Sequence, residues 1–213
     1  HAAAVFLPFM YLPYLGFSKT ERFAGVAVVN NYKKSGSREW IDAAAFAVVA
    51  ATLGLAFAIA RRSQNHFIAR PIAFLVEFIR GTPLLVQLYF IFYVLPDAGI
   101  LLPPLVAGVI GMGLHYATYT AEVYRSGIEN VARGQWEAAR ATNLTQLQTW
   151  RHVIIPQAVP PMIPALANYL IALFKETPLL SAITVLELMN QAKLVANSSY
   201  RYVEPMTLVG LFF

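Results

Sequence analysis

Glu77, Arg80, Gln87, His115, Thr118, Glu122, Lys175 and Glu176 are the residues whose chemistry stands out, because each lies inside or beside a long apolar run. A charge held in hydrocarbon costs about 2.5–3.5 kcal/mol or more unless it is paired or wet. Such residues therefore either fasten helices together or line a polar path. Glu77 and Arg80 are three apart, on one helical face, and can pair. Two readings of them stand: a snorkelling pair at a membrane boundary, or a cavity lined by Arg80 or Gln87. His115, Thr118, Tyr119 and Glu122 recur at helical spacing on one face, where they glue helices or meet a solute. Catalytic and metal chemistry finds less support. His66, His115 and His152 stand beside different spans or loops without ligand spacing, and no catalytic constellation is visible. Gly-Lys followed by Ser or Thr occurs nowhere, so the chain does not bind ATP through that phosphate loop.

The elements that must position these residues belong in a bilayer. Of the 213 residues, 58% are hydrophobic and only 13% charged, whereas soluble domains carry roughly a quarter charged. The net charge of +5 is dispersed between apolar runs, which fits the positive-inside pattern and argues against nucleic acid. Absence of cysteine excludes disulfides and thiolate metal sites. The chain starts at His1 and stops at Phe213 inside an apolar run, which predicts a C-terminally truncated piece. Residues 1–39 form an atypical N-terminal segment: an aromatic stretch broken by Pro8 and Pro13, then a basic one with a Ser35-Gly36-Ser37 linker. Residues 40–213 read as an all-α membrane domain. Its five spans run from Trp40 to Ala60, from Arg70 to near Leu95, from Leu101 to Tyr124, from Pro156 to Phe174, and from Tyr202 onward. Pro96-Asp97-Ala98-Gly99 is predicted as an outer turn, and Ala182 to Ala196 as an amphipathic helix ended by Asn197-Ser198-Ser199.

Between the third and fourth spans lies a polar, helix-favouring island. It predicts a short helix from Val131 to Thr142, with Asn130 capping its start. A second opens at Thr145, which stands in capping-box spacing to Gln148, and should end before Pro156. Asn143 sits between them, where a sharp turn needs a residue at positive φ.

Several stretches carry a family resemblance. Glu137-Ala138-Ala139 followed by a turn residue and Ile154-Ile155-Pro156 resembles the signature loop of membrane permease subunits of ABC importers. Arg80-Gly81-Thr82-Pro83-Leu84-Leu85-Val86-Gln87 is similar to a motif of the polar-amino-acid branch. Tyr119 to Gly127, and Lys175-Glu176-Thr177-Pro178-Leu179-Leu180-Ser181, resemble further family elements. The run from Lys175 to Gly210 is similar to permeases for ectoine and hydroxyectoine.

The resemblance implies a type I, MetI-like importer permease in the inner membrane that is not itself an enzyme. ATP and Mg would be bound by partner ABC ATPase subunits. The other implied partners are a second permease copy or a sister permease, an extracytoplasmic solute-binding protein and the lipid bilayer. In that family the two short helices dock into a groove of the ATPase, so Glu137, Ala138, Ala139, Arg140 and Asn143 become the coupling residues. Glu137 would offer charge to the groove, while Ala138 and Ala139 would keep the surface slim. Asn143 stands where the motif has Gly. The candidate solute path comprises Arg80, Gln87, His115, Thr118, Glu122, Lys175 and Glu176. The last two are either a solvated pair or help to admit a zwitterion. An ion- or proton-coupled secondary transporter and a membrane enzyme are the alternatives; no internal repeat supports the first.

Overall fold

The computed structural model describes residues 44–185 and 187–212. The readings made for residues 1–39 and for Trp40 lie outside them. Among the described residues every regular element is helical, and they divide between two compact units, at Glu176 and Thr177.

In the first unit, α1 (Ala44–Arg61) is long and apolar enough to cross a bilayer. A second such run opens at Gln146 and reaches the end of this unit at Glu176. Where one span was predicted from Arg70 to near Leu95, the structure has a bent pair, α2 (His66–Gly81) and α3 (Leu84–Tyr89), that is long and apolar enough only when its halves are taken together; it continues through a π turn at Phe90–Val94 and a 3-10 turn at Leu95–Ala98. The bend between its halves is 105°. Its cause is local: Pro83 has no N–H, and it drives Thr82 into extended backbone (φ −104, ψ 131). Gly99 (φ 82) closes the 3-10 turn at the predicted Pro96–Gly99 corner.

α4 (Pro104–Glu129) is the central post. At 26 residues it is about 39 Å long, longer than the predicted third span and polar in its second half. Three of its glycines receive neighbouring helices. A Cβ on Gly111 would meet Leu88 of α3 at 2.6 Å, and one on Gly113 would meet Val49 of α1 at 2.5 Å. On Gly127 it would meet Met162 at 2.2 Å. Without a hydrophobic drive between helices in lipid, such close approach is what joins them. Apolar side chains also cover the outside: Phe67 is 91% exposed and Phe74 74%, as expected of surfaces that face hydrocarbon.

The loop differs in three details from its predicted form. α5 spans Arg133–Ala141 and is preceded by Ala132, with no side-chain cap. Asn130 instead ends α4, its N–H reaching Ser126 O, because α4 runs through the residues expected to be loop. The helix that opens at α6 (Gln146–Gln148) does not stop before Pro156. It widens into a π turn at Thr149–Ile154 and continues as α7 (Ile155–Glu176) through Pro160, Pro161 and Pro164. Ile155 N–H bonds Trp150 O, five residues back, and this wider turn admits Pro156 near the start of the next α segment.

In the second unit a 3-10 turn (Thr177–Ile183) precedes α8 (Leu188–Ser199) and α9 (Val203–Phe212). α8 starts six residues later than predicted, because the Glu187 carboxylate caps it by accepting from the Met189 and Asn190 amides. It also includes Asn197-Ser198-Ser199 and breaks at Tyr200, which adopts φ 56. Leu188, Ala192 and Val209 form the buried contact between α8 and α9.

Candidate functional site

The loop is built as two helices hinged at Asn143. Asn143 adopts φ 54, the left-handed conformation for which the residue type was singled out. Beside it, Leu144 N–H bonds Ala139 O, and Thr142 Oγ1 bonds the carbonyls of Ala138 and Ala139. Thr145 and Gln148 form the complete capping box. Glu137, Ala138, Arg140 and Asn143 are exposed, whereas Ala139 is buried and contributes no outer surface. Leu147 is 77% exposed on the same loop. Trp136 and Trp150 meet edge to face at 5.4 Å above a core of Val131, Ile154, Ala158 and Met162. The Arg62 guanidinium lies 5.7 Å from each indole, tying the end of α1 to both loop helices.

A charged cluster sits one layer away from the loop. Glu122 accepts from Arg61 and from Arg125, the latter at 2.8 and 3.0 Å, and Arg80 stands 3.8 Å from it. Glu77 pairs with Arg80 at 3.7 Å, as its spacing predicted, and lies 4.0 Å from Arg61. Glu129 completes the set by accepting from Arg125 at 2.6 Å. Among the described residues, three arginines and three glutamates thus join α1, α2 and α4 with no net charge.

Farther along α4 an aromatic and polar tier follows. The Gln87 amide nitrogen donates to Ile79 O (2.7 Å), which also accepts from Thr82 N–H, and to Thr82 O (2.8 Å), both beside the break before Pro83. It lies 3.1 Å from His115 Nδ1. The Tyr119 ring lies 5.4 Å from that of Tyr169, tilted by 44°, and under Arg80, at 5.2 Å. Arg80 Nε is buried and has no hydrogen-bond partner among the described residues. Tyr116 donates to Glu176 Oε2 at 2.8 Å. The structure therefore brings Arg80, Gln87, His115, Glu122 and Glu176 onto one side of α4. Thr118 is not among them: it is fully buried and its hydroxyl bonds His115 O of its own helix. Lys175 is exposed, and its neighbour Glu176 pairs with Tyr116 because consecutive helical residues do not face each other.

The family model described as binding-protein-dependent transport system inner membrane component matches residues 50–213. The chain belongs to this family. The permease is 45% identical over 162 residues to a probable amino-acid ABC transporter permease of Sinorhizobium fredii, covering 76% of this chain and 70% of that one. It is 36% identical over 165 residues to a probable glutamine ABC transporter permease of Bacillus subtilis, covering 76% and 74%. Among solved structures, it superposes on the crystal structure of an amino acid ABC transporter with histidines with a TM-score of 0.77. That match has 35% identity and covers 82% of each chain. The MetNI methionine ABC transporter, at 18% identity and TM-score 0.54, shares the fold. The chain is thus an inner-membrane permease subunit of an ABC transporter, in the fold expected, and not an enzyme; ATP hydrolysis belongs to a separate partner.

Within the permease, several residues escaped the sequence reading. Arg61 is 61 residues from Glu122, beyond the reach of any local spacing rule. Tyr116 and Tyr169 lie off the stripe counted through His115, Thr118 and Glu122. Leu147 was visible as an apolar residue in a polar island, and that contrast was the available signal. The Arg62 contact to Trp136 and Trp150 needed the loop folded back onto α1.

Proposed function

We propose that this permease works in an ATP-driven importer of polar amino acids, with its 131–156 loop as the ATPase contact. The observation that carries the reading is the loop surface: Glu137, Arg140 and Leu147 stand exposed on two helices fixed by Asn143 and the capping box. A charged and apolar face held that rigidly suits a partner groove. Closure of two ATPase subunits, which carry ATP and Mg, moves the loop, and α7 and α4 transmit the motion to the membrane. Relatives named as amino-acid permeases support the solute class.

The path for the solute runs along α4. Arg80, with an unused Nε–H, suits a carboxylate, and Glu176 suits an ammonium, with Tyr116 and Tyr119 between them. Gln87 and His115 line the same side, and Lys175 stands exposed at its end. A zwitterion such as ectoine carries the same pair of charges and is the narrower reading, resting on the run from Lys175 to Gly210. The permease pairs with a second copy or a sister chain and takes solute from an extracytoplasmic binding protein.

The test is ATP hydrolysis by the complete complex in liposomes. Its binding protein is added loaded in turn with ectoine, arginine, glutamine, glutamate or histidine. Stimulation by an amino-acid form is the expected outcome, and stimulation by the ectoine form would support the narrower reading. No stimulation by any form in an intact complex would remove both assignments.

A further inference from the structure

A groove of about 740 Å³ opens between the end of α1, the end of α4 and the start of α7. Its walls are apolar: Leu55 and Ile59 from α1, Ile155, Val159 and Met162 from α7. Four of them, Leu55, Ile59, Ile155 and Val159, are 42–64% exposed, so the groove is open along its side. Its mouth is different. Arg62, Ser63 and Trp150 stand there, and no carboxylate is among the lining residues.

The groove has the depth of one leaflet. From Arg62 back to Leu55 is seven residues of helix, about 10 Å, and from Trp150 to Met162 is twelve, about 18 Å. Half of a hydrocarbon core is about 15 Å. Indoles concentrate at the headgroup level, and the two that flank Arg62 set the mouth at that level. The neighbouring Arg61 is neutralised by Glu122, whereas Arg62 faces aromatic rings, and among the described residues no carboxylate pairs with it at the mouth.

The geometry points to a site for one anionic glycerophospholipid, with an acyl chain in the groove and its phosphate at Arg62 and Ser63. Basic pockets between membrane helices on the cytoplasmic side select anionic headgroups. The apolar wall below holds the acyl chain by dispersion contacts alone, since lipid tails are as apolar as the wall, and selectivity comes from the headgroup. The lipid would lie directly beneath Trp150, so that it props the loop against α1. Assignment to the cytoplasmic leaflet rests on the loop being the ATPase contact; the groove and its polarity do not.

The intact complex, exchanged into equal phosphatidylglycerol and phosphatidylcholine and weighed by native mass spectrometry, tests this. The wild type should retain phosphatidylglycerol in preference, one per permease chain. Val159→Trp, filling the groove from its open side, should abolish retention, while Ile163→Trp, on the same helix outside the groove, should not. Arg62→Gln should keep a lipid and lower the preference for phosphatidylglycerol about fivefold. Equal retention of both lipids, none, or unchanged retention by Val159→Trp would overturn the site, as would occupancy of the groove by residues 1–43 or by a second permease. Copurified ATPase is counted in the same spectra. Retained lipid without ATPase would refute the loop reading and leave the site.

Discussion

Glu122→Gln isolates the charged cluster. The Glu122 side chain is 20% exposed and that of Arg61 18%, so both are partly shielded from water. The carboxylate accepts from Arg61 and from Arg125 on its two oxygens. Glutamine keeps one acceptor and turns an NH₂ toward the other arginine. It therefore loses one charge-assisted bond and leaves the cluster of three arginines with two acids. A hydrogen bond to a charged group is worth about 1.5–3 kcal/mol, and removal of one partner from a fully buried pair costs about 3–5 kcal/mol. With this partial exposure the expected loss is about 2 kcal/mol. For a chain of this size that lowers Tm by about 4–8 °C, read as loss of the monodisperse peak after heating in detergent. The contrast is Glu77→Gln. Glu77 is 62% exposed and its contacts are 3.7 and 4.0 Å, so its removal should cost less than about 1 kcal/mol. In a double-mutant cycle, Arg61→Gln with Glu122→Gln should lose clearly less than the sum of the two single changes. Additive losses, or an equal effect of Glu77→Gln, would refute the account of Glu122 as the organising acid.

Other outcomes follow from local geometry. A Cβ at Gly54 would meet Thr120 Oγ1 at 2.0 Å and Ala117 O at 2.9 Å, so Gly54→Ala should cost about 1–3 kcal/mol. Gly134→Ala, with nothing among the described residues within 4 Å, should be neutral or slightly stabilising; both are read as Tm. Asn143→Gly should preserve the loop, while Asn143→Val, forced to φ near 54, should cost about 1–2 kcal/mol and weaken ATPase copurification. Glu137→Lys should fold normally, since Glu137 is exposed, yet uncouple ATP hydrolysis from transport in liposomes; normal transport would remove Glu137 from the coupling role.

The loop was legible because its signals are local. Thr145 with Gln148, and Asn143 between two polar runs, specify geometry within a few residues, and both appear as expected. The Glu77–Arg80 pair was legible for the same reason. Long-range partners were not. Nothing in the spacing of Arg61, Glu122 and Arg125 shows that α1 crosses α4 beside them, because that crossing is decided by Gly54 and Gly113 meeting Thr120 and Val49. Periodicity also misled at Thr118. It shares the stripe of His115 and Glu122 by count, but a threonine in a helix can satisfy its hydroxyl on the preceding turn, and this one does. Proline was overweighted at Pro156, where a wider turn upstream removes the clash that would have ended the helix.

The π turn at Thr149–Ile154 has a mechanical consequence. It holds one residue more than an α turn would, and each residue of helix corresponds to about 100° of rotation. Such a surplus can migrate by passing carbonyl partners from one amide to the next, without an unpaired intermediate of more than a bond or two. With the loop as the proposed ATPase contact, torque applied at Thr145 would be absorbed as a change in the position of the surplus, and released as a screw motion of α7 about its own axis. Deletion of one residue there would leave a plain helix of fixed pitch, able to push but not to turn.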